Sequence, residues 1–154
     1  MQRKLLFVCH SPSPNTRALR EACVSAIGSL SLERIEVLAK TPLETSVDDV
    51  ISCSAVLIGT TENFGALAGL TKDFFERIYY PCLDKTQGLP VALYIRAGED
   101  GRGSRVGAEK IMTGLRWRLV AEPLVLRGAY QQNFEGMAAE LAMTLAAGLD
   151  AEIF

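Results

Sequence analysis

The side chains best suited to bind an anion follow the first apolar run of the chain. Segment 10–16 reads His-Ser-Pro-Ser-Pro-Asn-Thr, and Ser11, Ser13, Asn15 and Thr16 supply its hydroxyl and amide donors. A helical pattern follows directly, and a helix amino terminus adds unpaired backbone N–H groups and a partial positive charge. The segment is therefore a candidate phosphate cradle without a lysine. The same residue types also form ordinary helix caps and turns, so that interpretation stays open.

A second polar segment follows the third apolar run. It comprises residues 60–63, Thr-Thr-Glu-Asn, and leads into Phe64 and Gly65. Phe64 offers a flat apolar ring to an aromatic ligand, whereas Asn63 and the backbone near Gly65 offer hydrogen-bond partners. Two alternatives are open: Phe64 as the hydrophobic staple of a following helix, and Asn63 as its N-cap.

The fourth apolar run leads into a glycine-rich segment, 97–107, in which we expect a loop. Backbone near Gly98 can approach a ligand closely because glycine has no side chain. Arg102 and Arg105 can reach a phosphate group, although exposed arginines commonly serve no specific partner. The glycines are equally compatible with a loop that is only flexible.

Strand and helix patterns alternate along the whole chain and position these three segments. Short apolar runs at 5–9, 35–39, 55–59, 91–95 and 124–126, the last with Pro123 at its edge, predict strands. Helical spacing predicts the intervening helices. The first predicted helix contains Leu19, Cys23 and Ile27, and the second spans residues 47–51 after the possible caps Thr45 and Ser46. The third spans residues 65–79, with Leu67, Leu70, Phe74 and Ile78 on its inner face and Pro81 as its stop. The fourth contains Ala108, Ile111, Met112, Leu115 and Leu119, and the fifth contains Met137, Leu141, Leu145 and Leu149.

This alternation predicts one α/β domain, residues 1–154, with a doubly wound parallel sheet. Ligands of such sheets bind outside the carboxyl ends of the strands. The three polar segments all follow predicted strands, so function is expected at that edge.

Composition limits the possible functions. The net charge is −2, with 22% charged and 49% hydrophobic residues. Because acidic and basic residues are interleaved, a nucleic-acid partner is not expected, and no apolar run has the roughly 20 residues of a membrane-spanning helix. The apolar start at 5–9 is too short for a signal peptide, so we expect a cytoplasmic protein.

The cysteines do not form a metal-binding pattern. Cys9, Cys23, Cys53 and Cys82 are widely spaced without a C-x-x-C pair, so we expect reduced, packed thiols and no metal site.

Two other phosphate chemistries do not fit. Low-molecular-weight tyrosine phosphatases carry an arginine six positions after their cysteine, where this chain has Asn15, and no Asp-Pro pair supplies their acid. Response-regulator receivers need acidic residues after the first and third strands, where His10 and Thr60 stand. A Walker phosphate loop is also absent.

The third segment and its continuation resemble a known family. Residues 58–65, Ile-Gly-Thr-Thr-Glu-Asn-Phe-Gly, followed by Gly69, Leu70 and residues 72–77, Lys-Asp-Phe-Phe-Glu-Arg, resemble flavodoxin-like NADPH-dependent FMN reductases and quinone reductases. Together with the first loop, the resemblance covers all five strand–helix units. It implies a three-layer α/β/α sandwich with strand order 2-1-3-4-5, the cofactor FMN and a homodimer, which is common in the family. Helix faces that contain Phe75, Tyr79 and Tyr80 are candidates for its interface, and their spacing is equally compatible with ordinary core packing.

The resemblance also assigns the cofactor contacts. The phosphate loop comprises Ser11, Ser13, Asn15 and Thr16, and the isoalloxazine-facing residues are Thr61, Glu62, Asn63, Phe64 and Gly65. We expect Ala97 and Gly98 of the fourth loop to contact the cofactor as well, because backbone groups near Gly98 can supply hydrogen-bond partners. Two departures from the family are Thr61, where proline is common, and the charged segment 96–101.

The function expected from these observations is an FMN-dependent oxidoreductase. Hydride would pass from NAD(P)H through FMN to a quinone, a flavin or a similar small acceptor, and no side-chain base is required, so no catalytic residue is assigned. The alternatives are a flavodoxin-like electron carrier, which the near balance of charge disfavours, and an interaction domain without a cofactor.

Overall fold

The structure is a computed structural model that describes residues 2–154. Its strands are β1 (Arg3–Cys9), β2 (Ile35–Lys40), β3 (Ala55–Asn63), β4 (Ala66–Leu67), β5 (Pro90–Ala97), β6 (Arg118–Leu119) and β7 (Leu124–Arg127). Its helices are α1 (Pro14–Ser29), α2 (Val47–Ser52), α3 (Gly69–Cys82), α4 (Arg102–Gly114) and α5 (Asn133–Asp150).

The main sheet is parallel and has the order β2-β1-β3-β5, with β6 and β7 both pairing with β5 at the far edge. Cys9 pairs with Gly59, and Thr61 pairs with Arg96, so the carboxyl ends of β1, β3 and β5 lie on the same edge of the sheet, with β3 and β5 extending beyond β1. This confirms the predicted fold class and order, with the fifth position divided between two short strands. The carboxyl edge therefore brings the three predicted loops together.

Two cores cover the sheet because strand residues alternate between its faces. One core lies under α1 and α5 and includes Phe7 and Leu57. The other lies under α2, α3 and α4 and includes Leu6, Ile58 and Phe74. A buried hydrogen bond of 2.7 Å between the hydroxyls of Thr60 and Thr71 further joins β3 to α3.

The predicted loop at 60–63 and the predicted helix at 65–79 were wrong at their junction. β3 continues through Asn63 and turns back at Phe64 and Gly65 into β4. Both turn residues have positive φ, at 53° and 74°, the backbone of a two-residue hairpin turn. The helix therefore starts only at Gly69, which leaves Leu67 in β4 and Leu70 44% exposed.

The end of α3 also differs from the prediction that Pro81 stops the helix. The helix includes Pro81 and ends at Cys82. A proline in the last turn removes only one N–H donor from the helix. The helical hydrogen bonding continues past it, because the N–H of Leu83 donates to the carbonyl of Tyr79.

The predicted loop at 97–107 is mostly helix. Gly101 has a φ of 69° and precedes α4, which begins at Arg102. The helix ends at Gly114, so Leu119 lies in β6 instead of on the helix. In α5, Met137 is 40% exposed, because the buried stripe runs through Phe134, Ala138, Ala142, Leu145 and Leu149.

None of the helices within residues 2–154 is both long and apolar enough to span a lipid bilayer.

Candidate functional site

The first loop joins β1 to α1 at the carboxyl edge. The N–H of His10 donates to the carbonyl of Gly59 at 2.8 Å, which holds the loop against β3. Ser13 is the N-cap of α1: its hydroxyl accepts from the N–H of Thr16 at 3.2 Å, and the Thr16 hydroxyl accepts from the N–H of Ser13 at 2.9 Å. This reciprocal capping box uses two of the four predicted phosphate contacts to start the helix.

The donors left for a ligand are on Ser11 and Asn15. Pro14 occupies the first helical position and has no N–H, while the N–H groups of Thr16 and Arg17 are bonded to Ser13. Asn15 is exposed, and its backbone N–H and side-chain amide have no partner among residues 2–154. The donor chemistry fits one phosphate group held by Ser11 and Asn15 at the positive end of α1.

Below this loop lies a pair of buried polar side chains. The Cys9 thiol and the Tyr94 hydroxyl are 3.3 Å apart. Burial raises the pKa of Cys9 to about 11, although the hydroxyls of Tyr94 and Ser11 act in the opposite direction. A thiol is a weak hydrogen-bond partner, so the Ser11 hydroxyl remains available to an anion. Burial lowers the pKa of His10, so His10 is mostly uncharged at neutral pH and adds little positive charge.

The β3–β4 hairpin divides the predicted isoalloxazine contacts between the two faces of the sheet. Thr61 is nearly buried, and its hydroxyl donates to the side-chain oxygen of Asn63 at 3.0 Å. Asn63 is not the N-cap of α3, because that position belongs to Ala68. The amide nitrogen of Asn63 thus keeps both of its donors.

Glu62 points to the opposite face and reaches α4. Its two carboxylate oxygens accept from the backbone N–H groups of Gly101 at 3.2 Å and Ser104 at 3.3 Å. Glu62 therefore acts as a remote cap at the amino end of α4, whose N-cap residue, Gly101, has no side chain.

The tip of the hairpin is fully accessible. Phe64 has a relative exposure of 108%, so its ring is not the hydrophobic staple of α3. A non-glycine residue with positive φ is strained, and an exposed aromatic ring gains no burial energy in return. Strained residues of this kind are typical of ligand-binding sites.

A cavity of about 500 Å³ lies between the hairpin and the segment after β5. Its lining residues are Glu62, Phe64, Gly65, Gly98, Glu99 and Asp100. The volume is within the usual range for small-molecule sites. The backbone N–H groups of Gly98 and Glu99 have no partner within residues 2–154, whereas Ala97 is buried and its carbonyl accepts from Gly128.

The cavity and the first loop share one edge. β1 and β5 flank β3, and Cys9 at the end of β1 is in register with Tyr94, three residues before the end of β5. These two positions lie about 10 Å apart, at two interstrand spacings of roughly 4.8 Å. Two other cavities, of about 430 and 330 Å³, are lined by residues of α1 and β2 and by residues of β7 and α5. Neither contains a predicted site residue.

The charges around the cavity are mostly negative. Glu62, Glu99 and Asp100 line it, and the Asp100 carboxylate accepts from the N–H of Arg102 at 3.1 Å. Arg105 is held at 2.7 Å by Glu109 and at 2.9 Å by Glu122, so its charge is already paired. The proposed role of Arg105 in binding a phosphate thus has little support.

Two close contacts that shape the site were not evident from sequence. A side chain on Gly103 would meet the carbonyl oxygen of Gly65 at 1.8 Å, so the hairpin lies directly on α4. A side chain on Gly59 would meet the Tyr94 ring at 2.3 Å. The only available signal was glycine itself, and glycine has many other causes.

Neither a family model nor a curated protein matches the chain. Solved structures are similar to it in fold. A flavodoxin from the domain Archaea has a TM-score of 0.78 and 18% identity, with 95% of this chain and 98% of that chain covered. An oxidoreductase from Corynebacterium diphtheriae has a TM-score of 0.69 and 18% identity, with 98% of both chains covered.

An NADH:FMN oxidoreductase in its apo form has a TM-score of 0.72 and 11% identity, with 96% of this chain and 90% of that chain covered. At such identities the similarity establishes architecture and not activity. The chain has the flavodoxin-like fold, and its candidate site lies at the carboxyl edge of the parallel sheet.

Proposed function

We propose that the chain binds FMN at this edge and transfers reducing equivalents from NAD(P)H to a small acceptor such as a quinone or a flavin. The observation that carries the proposal is the combination of free donors on Ser11 and Asn15 with the cavity beside Phe64. Solved proteins of the same fold include flavodoxins and an NADH:FMN oxidoreductase, which agrees with this cofactor.

Each part of the site has a distinct task. Ser11 and Asn15 hold the phosphate of FMN at the amino end of α1. Phe64 supplies an apolar surface for the isoalloxazine ring, and the N–H groups of Gly98 and Glu99 supply donors to its polar edge. When bound, FMN supplies the capacity to accept a hydride and pass on its two electrons. The protein contributes orientation and leaves the remaining face of the cavity open to substrates.

The acidic lining of the cavity influences the reduction of bound FMN. Negative charge that develops on a reduced ring is destabilised by nearby carboxylates, of which Glu99 is exposed and has no cationic partner within residues 2–154. We therefore expect a low reduction potential for bound FMN. We also propose that the protein works in a reducing compartment, because all four of its cysteines are free thiols.

Flavin titration tests the cofactor assignment. Loss of one charged hydrogen bond costs about 1.5–3 kcal/mol, so Ser11→Ala and Asn15→Ala should each weaken FMN binding roughly tenfold or more. Neither should change riboflavin binding, because riboflavin has no phosphate. Ser13→Ala is the matched control and should lower stability without a comparable loss of affinity. Wild-type protein that does not quench FMN fluorescence would refute the assignment.

A second candidate function is electron transfer without substrate turnover. The three carboxylates at the cavity favour it, since they oppose the approach of an anionic nicotinamide nucleotide. Anaerobic mixing separates the two functions. Rapid bleaching of the bound flavin by NADH or NADPH alone supports the enzyme, whereas bleaching only after addition of a reductase supports the carrier.

The predicted homodimer stays a prediction. Of the three aromatic residues proposed for its interface, Phe75 is buried in the core, and Tyr80 is 79% exposed. Light scattering at several protein concentrations would test it.

A further inference from the structure

The third and fourth loops of this sheet are joined by side-chain and backbone contacts. Glu62 lies near the end of β3, and its carboxylate accepts from the N–H groups of Gly101, the N-cap residue of α4, and of Ser104 in its first turn. A carboxylate at a helix amino terminus interacts favourably with the helix dipole. Because these partners lie 39 and 42 positions away in the chain, the bonds connect two separate segments.

A second contact acts on the other side of the hairpin tip. Gly103 of α4 approaches Gly65 so closely that a Cβ would lie 1.8 Å from the Gly65 carbonyl oxygen. The hairpin backbone and the first turn of α4 are therefore in direct contact. Movement of one segment away from the other requires loss of both this contact and the Glu62 bonds.

Phe64 lies between these two attachments. Its ring is fully exposed, so no packing within residues 2–154 holds it in place. Its backbone is in the left-handed region, which an isolated phenylalanine rarely adopts. The position of the ring over the cavity thus depends on the residues that flank it, Glu62 before and Gly65 after.

We propose that Glu62 is a positioning residue that fixes Phe64 against the flavin ring by locking the hairpin onto α4. The inference rests on the proposed function, because Phe64 is the residue that contacts the isoalloxazine ring in the proposed site. Glu62 itself does not need to touch the flavin, since both of its oxygens serve α4. A fixed wall lowers the entropy lost when the ligand binds.

The first test is Glu62→Gln, which keeps one acceptor oxygen and loses the other. We expect faster hydrogen exchange of the backbone amides of Gly101 and Ser104. We also expect FMN and riboflavin to bind more weakly, both by the same factor of roughly ten. Glu76→Gln is the matched control, because Glu76 forms an exposed pair with Lys72 on α3. It should alter neither exchange at α4 nor flavin affinity.

A double-mutant cycle distinguishes positioning from a general structural effect. If Glu62 acts through Phe64, the loss of affinity caused by Glu62→Gln should disappear in a Phe64→Ala background. Equal losses in both backgrounds would overturn the proposal. A simple loss of stability would not depend on the residue at 64.

A second pair of variants tests the same lock without a change in charge. Gly103→Ala should displace the hairpin and weaken the binding of both flavins. Gly107→Ala is the control and should do neither, because a Cβ at Gly107, one turn along α4, has no neighbour within 4 Å. If wild-type protein binds neither flavin, the proposed function fails. If it binds both and Glu62→Gln and Gly103→Ala bind them equally well, the proposed function stands and the positioning role is wrong.

Discussion

The ring of Tyr94 occupies the space that a side chain at Gly59 would need. Tyr94 lies on β5, and its hydroxyl reaches across β3 to the thiol of Cys9 on β1. Only the absence of a Cβ at Gly59 opens this path, because a Cβ there would lie 2.3 Å from the ring and its hydroxyl. The three central strands are thus tied together just beneath the first loop.

Gly59→Ala should therefore destabilise the protein. Extra volume in a packed core costs about 1–3 kcal/mol, and the Tyr94 ring has little freedom to move. Urea unfolding measures the loss. Gly28→Ala is the control, because a Cβ there has no neighbour within 4 Å in a helix, and it should stabilise by about 0.5 kcal/mol. A neutral Gly59→Ala would mean that the ring does not cross β3 as described.

Phe64→Asn should increase stability and reduce flavin affinity. Asparagine tolerates the left-handed backbone better than phenylalanine, and Asn-Gly is a preferred pair for this hairpin turn. We expect a gain of about 1 kcal/mol, because no buried contact of Phe64 is lost. Thermal unfolding and flavin titration of the same variant check both effects. Unchanged flavin binding would show that the ring has no role in the site.

Ser104→Ala should stabilise the protein. The Ser104 hydroxyl is buried and has no hydrogen-bond partner within residues 2–154, and such a group costs about 1 kcal/mol or more. Ser13→Ala should have the opposite sign and cost about 1 kcal/mol, because that hydroxyl caps α1. Comparison of the two variants by chemical denaturation tests both assignments. A destabilising Ser104→Ala would indicate a partner such as a buried water molecule.

Stability should fall as the pH rises above 9. Burial raises the pKa of Cys9 from its ordinary value of 9.0 to about 11 and raises that of Tyr94 well above 10. Between the unfolded and folded pKa values the unfolded chain has lost the thiol proton and the folded chain has kept it, so the free energy of unfolding decreases. The full contribution of the Cys9 thiol to the free energy of unfolding is present below pH 9 and is lost as the pH rises through about 11.

Cys9 accounts for at most about 2–3 kcal/mol of this change, from a shift of two pKa units. Cys9→Ala should therefore flatten the decline between pH 9 and 11 relative to wild type. Urea unfolding at several pH values measures both slopes. Parallel slopes would exclude titration of Cys9 as a cause.

The central strands β1, β3 and β5 were predicted well from sequence because each is a largely buried apolar run with polar residues at its carboxyl end. Segment 55–59 is an example, although β3 continues beyond it. The start of α3 was mispredicted because helical spacing at Leu67 and Leu70 suggested a helix, whereas a two-residue turn at Phe64 and Gly65 formed first. Local turn geometry prevailed over periodicity there.

The site itself was predicted only in part. The position of the first loop follows from the fold, but its hydroxyls are shared between a helix cap and a ligand, and sequence does not show which serves which. Ser13 and Thr16 proved to bond each other, which leaves Ser11 and Asn15. The contacts of Glu62 with Gly101 and Ser104 could not be predicted from sequence, because residues 97–107 suggested a loop and not the start of a helix.

The division of the fifth strand affects how molecules of this kind can meet. β6 and β7 are two and four residues long, and the irregular segment between them contains Pro123, which has no N–H to offer a neighbour. Among the edge strands within residues 2–154, β2 alone offers six consecutive residues for pairing with a strand of another molecule. A fibre grows by strand addition only if each molecule has two edge strands that can pair. Pairing through β2 would therefore stop at two copies.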